Sequence, residues 1–211
     1  MNIDNKSALI IVDPQNDFCK GGRLAVPDGD AIMDPLNRLS FDFRIDNATI
    51  VLTQDWHPSN HSSFASTHDK APFSSIRLPY GEQTLWPDHC VQGTYGAEFH
   101  PEIEGAAVRA HCIIRKGFRK DIDSYSAFVE NDKTTKTGLE GYLKERGITK
   151  VYLVGLAYDF CVGFSALDAV AAGFEAIVIK NLTRSITPDG EKKMDEMLAA
   201  AGVRSENYDI D

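Results

Sequence analysis

The sequence predicts an α/β fold of three layers, with helices on both faces of a mainly parallel sheet. Short β-branched runs recur that are apolar without alternation, the mark of strands covered on both faces. Stretches with helical periodicity fall between them, and several of these stop at a glycine, where a helix C-terminus favours one. In order, residues 8–12 give the first strand and 31–39 the first helix. Strands follow at 49–53 and 112–114, then a helix at 137–146 that stops at Gly147. A strand at 151–154 leads to a helix at 161–172 ending at Gly173, and a fifth strand at 176–179 precedes a last helix at 188–201 ending at Gly202. Strands alternating with helices imply right-handed βαβ crossovers.

One domain, residues 1–211, suits this length. At 43% hydrophobic and 25% charged, the chain can bury a core without disulfides, which excludes disordered and collagen-like classes. A formal net charge of −9 without a clustered Lys/Arg run argues against nucleic acid and points to a small-molecule partner. The N-terminal apolar run is too short and too soon acidic for a signal peptide. The apolar stretch 151–158 falls far below the roughly 20 residues that cross a bilayer, so no membrane association and a cytoplasmic address are expected. Cys19, Cys90, Cys112 and Cys161 show no Cys-x-x-Cys spacing, so a special cysteine here is special as a thiol.

Between residues 54 and 101 no strand or helix period is evident, and Pro, His, Ser and Gly are frequent. A loop this long inside a domain is usually functional. In open parallel sheets ligands bind beyond the carboxyl ends of the strands. There the sequence places Asp13 after the first strand, Asp55 and His57 after the second, Lys116 after the third, and Cys161 after the fourth. Each alone has a plain structural reading: an Asp caps a turn, a buried Cys fills a core. Their convergence on one edge favours chemistry. Cys161 at a helix start, with Lys116 nearby, is expected to be a thiolate, and Asp13 could carry its proton. No Gly-x-Ser-x-Gly elbow exists, which disfavours a serine hydrolase. Asp55 and His57, with His61, His68 and His89 in the same loop, suit a divalent metal.

Six blocks carry a family resemblance. They are Ile11-Val12-Asp13-Pro14-Gln15-Asn16-Asp17-Phe18, Thr53-Gln54-Asp55-Trp56-His57-Pro58 with Ser63-Phe64, and Leu85-Trp86-Pro87-Asp88-His89-Cys90-Val91-Gln92-Gly93-Thr94. Arg115-Lys116-Gly117, Asp123-Ser124-Tyr125-Ser126-Ala127-Phe128 and Gly155-Leu156-Ala157-Tyr158-Asp159-Phe160-Cys161-Val162 complete them. In this order they resemble the nicotinamidases of the isochorismatase-like cysteine hydrolase superfamily, across almost the whole chain.

The resemblance implies a Rossmann-like sheet with a metal-bearing loop insertion, and a catalytic triad of Asp13, Lys116 and Cys161. It implies an oxyanion hole from the backbone amides of Ala157 and Cys161, with a cis peptide between Leu156 and Ala157. It implies a metal held by Asp55, His57 and His89, with Ser63 at a variable fourth position reached through water. Zinc is the expected ion, with iron or manganese as alternatives. Phe18, Trp86 and Tyr125 are candidates for a slot around a pyridine ring. The implied reaction converts nicotinamide to nicotinate and ammonia for NAD salvage, with pyrazinamide as a further substrate; a homo-oligomer is left open. Tyr158 departs from the Thr of many relatives, and residues 181–184 are less acidic and less cysteine-bearing than usual, which bears on specificity rather than reaction class. Two rivals are a superfamily member acting on a carbamoyl or ureido compound or a vinyl ether, and a silent metal-binding scaffold on the same fold. Asp55, His57 and His89 speak against the first, and the intact Asp13, Lys116 and Cys161 against the second.

Overall fold

In the computed structural model, which describes residues 1–209, the apolar runs become strands and most intervening stretches helices. The chain runs through β1 (Ser7–Val12), α1 (Met33–Ile45), β2 (Thr49–Asp55), β3 (Ser75–Leu78), β4 (Gly81–Thr84), α2 (Glu104–Arg109) and β5 (Cys112–Lys116). It continues through α3 (Leu139–Glu145), β6 (Lys150–Leu156), α4 (Gly163–Ala171), β7 (Glu175–Arg184), α5 (Pro188–Ala200) and β8 (Arg204–Glu206). The main sheet has the order β5-β2-β1-β6-β7-β8, and every neighbouring pair in it is parallel. From β1 the strand order runs outward in both directions, so the crevice of an open α/β sheet falls at the carboxyl end of β1.

Three layers follow from the period of two along β1. Leu9 and Ile11 face a cluster holding Leu36, Leu39 and Phe43 of α1 and Ala106 of α2. Ala8, Ile10 and Val12 face the opposite cluster, with Leu143 of α3, Ala166 of α4 and Leu198 of α5. Each large aliphatic side chain buried this way contributes roughly 1.5–3 kcal/mol, which is why the central strands carry no polar face. At the start of α5 the Thr187 hydroxyl accepts the Gly190 N–H at 3.0 Å, and Pro188 supplies a preset φ. Gly147, Gly173 and Gly202 all take positive φ, as expected of helix ends.

Several expectations change. β5 is an edge strand covered on one face, and its Ile113 is 46% exposed. α1 continues past residue 39 to Ile45, because Phe43 supplies one more buried turn. The segment Tyr158–Val162 is a π turn, with the Val162 N–H on the Ala157 carbonyl at 3.0 Å, so regular α-helix begins at Gly163 rather than Cys161. The antiparallel hairpin β3–β4, inside the stretch that lacked a period, and the short α2 and β8 were not legible. Among the described residues no helix is long and apolar enough to cross a membrane.

Candidate active site

Four strand ends deliver the polar centre. Asp13 follows β1 in the left-handed region at φ 46°, a conformation that a short polar side chain tolerates. The Asp13 N–H donates to Thr53 Oγ1 at 3.0 Å, and the Thr53 hydroxyl donates to Asp13 Oδ1 at 2.5 Å, so β2 fixes the carboxylate. Lys116 closes β5 and is 1% exposed. Its ammonium donates to Asp55 Oδ1 at 2.8 Å, to the Ser124 carbonyl at 3.0 Å and to Cys161 Sγ at 3.4 Å. Asp13 Oδ2 lies 2.8 Å from the same Nζ, yet off the direction of its three N–H bonds. That oxygen is buried, with its lone pairs free to take a proton.

Burial works against the charged Lys116, but Asp13 and Asp55 hold its ammonium well above the usual range. Burial raises the Asp13 carboxyl, and Asp55 adds to this against Lys116. The Cys161 thiol is pushed well up by burial, with Asp13 and Asp55 outweighing the relief from Lys116. The expected resting thiolate is therefore replaced by a thiol beside a proton acceptor. Two features account for the difference: the sulfur sits inside a π turn instead of at a helix N-terminus, and two carboxylates share its one cation.

Beside this centre Asp55 Oδ2 lies 3.2 Å from His57 Nε2 and 3.5 Å from His89 Nε2, all three side chains buried. His57 Nδ1 meets the Gly117 carbonyl at 2.8 Å, and His89 Nδ1 meets the Pro87 carbonyl at 2.8 Å. A carbonyl only accepts, so each Nδ1 carries a proton, and in the neutral rings both Nε2 lone pairs aim at the carboxylate. Three electron-rich atoms converging in a dry pocket, each imidazole held from behind, fit a divalent cation. Burial lowers His57, but Asp55 outweighs it and raises the group, a measure of how strongly the cluster draws positive charge. Gly117 is needed behind the ring: its φ is +63°, and a Cβ there would overlap His57. Ser63 points elsewhere, its hydroxyl 2.7 Å from His61 Nδ1. His61 lies 4.3 Å from the His57 ring centre to centre, and burial followed by His57 pushes it down to about 4, so it is neutral.

Phe18, Trp86 and Tyr125 do line one small cavity, together with Asp55, His89, Ala157 and Cys161. Leu24, Asp123, Phe160 and Ile186 complete its wall and were not singled out from sequence. Phe160 stacks edge-on to Trp86 at 4.8 Å and adjoins Cys161, a local signal that could have found it. Leu24 and Ile186 arrive from distant segments without any signal of their own. The peptide between Leu156 and Ala157 is cis. A thiol, a proton acceptor, a fixed cation and an aromatic wall in one slot are the equipment for nucleophilic acyl transfer on a flat ring.

Known proteins resemble this arrangement. The isochorismatase domain family matches residues 7–205. A nicotinamidase of Acinetobacter baylyi is 52% identical over 209 residues, covering 98% of this chain and 95% of that protein. The solved structure of an Acinetobacter baumanii nicotinamidase and pyrazinamidase superposes with a TM-score of 0.92 at 50% identity, covering 98% of both chains. That of a Pyrococcus horikoshii pyrazinamidase in complex with zinc gives 0.78 at 35% identity, covering 96% of this chain and 99% of its own.

Proposed function

From the premise that this chain belongs to the isochorismatase family, we propose that it hydrolyses nicotinamide to nicotinate and ammonia, with Cys161 as nucleophile. The observation that carries the reading is the Lys116 ammonium, 3.4 Å from Cys161 Sγ and 2.8 Å from Asp13 Oδ2, on the wall of an aromatic slot. The relatives' activities supply the substrate: a primary carboxamide on a pyridine ring. Pyrazinamide shares that amide and a ring nitrogen, and is the second substrate. The product, nicotinate, re-enters NAD synthesis.

The steps follow from protons already placed. Asp13 Oδ2 takes the Cys161 proton as the sulfur attacks the carboxamide carbon, and Lys116 offsets the negative charge that gathers between them. The N–H groups of Ala157 and Cys161 hold the oxyanion, a contribution of about 3 kcal/mol for one such donor. Asp13 returns the proton to the nitrogen, the C–N bond breaks and ammonia leaves. The same carboxylate then draws a proton from water, which attacks the thioester, releases nicotinate and restores the thiol. Phe18, Trp86, Tyr125 and Phe160 hold the ring flat and keep other water out. Asp55, His57 and His89 would hold a divalent ion, zinc by their donor set, which supplies a Lewis acid for the ring nitrogen and so fixes the ring's orientation.

Ammonia release from nicotinamide by purified protein, before and after chelation and zinc return, tests this reading. Expected are turnover of nicotinamide and pyrazinamide, loss on chelation and recovery with zinc. Turnover of a ureido compound or a vinyl ether, with nicotinamide untouched, would replace the reading with the nearest rival.

A further inference from the structure

We propose that Cys19, Asp30 and His100 form a second divalent-metal site, suited to zinc, that staples the loop after β1 to the turn before α2. Their donor atoms all lie within 4.8 Å of one another, with His100 Nε2 3.8 Å from Asp30 Oδ1. All three line an open cavity of roughly 590 Å³ that shares no residue with the aromatic slot. No step of the amide hydrolysis uses any of them.

Each donor is supported from behind, as ligands at metal sites are. Asp30 Oδ2 accepts the Lys20 N–H at 2.8 Å, which leaves Oδ1 to face the other two donors. The His100 N–H is bonded to the Pro14 carbonyl at 2.9 Å, and Pro101 follows it, so the backbone carrying the imidazole is fixed. Cys19 is 2% exposed and anchored by its N–H on the Asn16 carbonyl at 3.1 Å. One thiol, one imidazole and one carboxylate make a donor set that favours zinc over magnesium or calcium. Burial, Asp30 and Glu102 together push the Cys19 thiol up to about 12, so binding displaces a proton and strengthens as pH rises.

Bonds of about 2.0–2.3 Å require donor separations of about 3.3–3.8 Å, so the cluster must close by about an ångström. The Asp30 and His100 side chains, 43% and 18% exposed, have the freedom to do so. Ligation through His100 Nε2 also puts the ring proton on Nδ1. That gives up the bond from the Glu102 N–H, a 3.3 Å contact at an exposed turn where water replaces it at small cost. Water or the Glu102 carboxylate completes a tetrahedral shell. The staple would brace Phe18, the residue before Cys19 and one wall of the slot.

The test compares full-length wild type with Cys19→Ser and His100→Ala. Each is stripped with chelator, reloaded with zinc alone and dialysed, and zinc per chain is counted; circular dichroism checks the fold. Each variant should hold one zinc fewer than wild type, and a tenfold excess of magnesium should not change the counts. Cobalt loading gives a second readout, a near-ultraviolet thiolate-to-cobalt band that disappears in Cys19→Ser and persists in Cys161→Ala. Equal zinc counts in wild type and both variants, or no band assignable to Cys19, would overturn the site. Should either variant fail to fold, Asp30→Asn at the exposed donor carries the same count, and a wild-type value there overturns it equally.

Discussion

Asp13, Lys116 and Cys161 follow or close strands of one parallel sheet, whereas His57, His89, Trp86 and Gln83 come from the stretch between β2 and α2, outside that sheet. The first group is positioned by ladders running the length of β1, β2, β5 and β6. The second is held by single bridges, His57 to Val91 and Phe64 to Trp86, and by carbonyls that catch imidazole protons. A proton must move between atoms fixed to fractions of an ångström, and a sheet interior provides that. A ring must be admitted, oriented and released, which suits a wall built from loops. The comparison makes a claim that can be broken: damage to the sheet half should act on turnover, and damage to the loop half on binding.

The largest effect belongs to the sheet half. Cys161→Ala should abolish ammonia release with the fold intact by circular dichroism, while Cys112→Ala keeps most activity. Asp13→Asn should lower kcat by about 10²- to 10⁴-fold, since an amide neither accepts the thiol proton nor delivers it. Asparagine tolerates the left-handed backbone at this position, so the loss is not one of folding. A KM effect with kcat preserved in Asp13→Asn would erase the division between the two halves.

Next come the metal ligands. His57→Ala or His89→Ala should lose one bound ion, by at least the roughly 10- to 100-fold in affinity that removing even a supporting partner costs. KM for nicotinamide should rise, and Cys161 should stay open to iodoacetamide, because Lys116 and Asp13 are untouched. Metal content equal to wild type in both variants would refute the ligand assignment. Loss of alkylation together with the metal would mean that the two halves are a single unit.

The same division explains what could be read in advance. β1, β2, β6 and β7 were legible because burial on both faces leaves long apolar runs, and reading off their ends found Asp13, Asp55 and Lys116 together. β5 misled because an edge strand with Ile113 in solvent looks, over three residues, like a covered one. The hairpin β3–β4 has half-exposed residues and no apolar face to give a period. Leu24, Gln83 and Ile186 reach the site by tertiary approach from segments without local pattern. The protonation of Cys161 was misjudged for a related reason: the helix start was visible in sequence, but the two carboxylates around one ammonium were not.

Gln83 gives the smallest effect and the sharpest test of the loop half. It is 1% exposed on β4, far from the sheet, yet its amide donates to the Thr84 carbonyl at 2.7 Å, to Asp123 Oδ2 at 2.9 Å and to Tyr125 Oη at 3.0 Å. Its carbonyl oxygen accepts from Tyr80 Oη at 3.0 Å and from Asn131 Nδ2 at 3.3 Å. Trp86 Nε1 donates to the same Tyr125 oxygen at 3.2 Å, so one side chain ties the hairpin to two walls of the slot. Gln83→Leu keeps the volume but leaves Asp123 and Tyr125 short of a donor, at about 1–3 kcal/mol for a buried unsatisfied group. For a protein of this size the melting temperature should fall by several degrees. If the hairpin serves recognition, KM for nicotinamide should rise severalfold while kcat stays within about threefold, because Asp13, Lys116 and Cys161 keep their distances. A lower melting temperature with KM unchanged would make Gln83 a prop for the hairpin alone. A fall in kcat at constant KM would mean that Asp123 and Tyr125 act on the reacting atoms, and the line between the two halves would have to be redrawn through the slot itself.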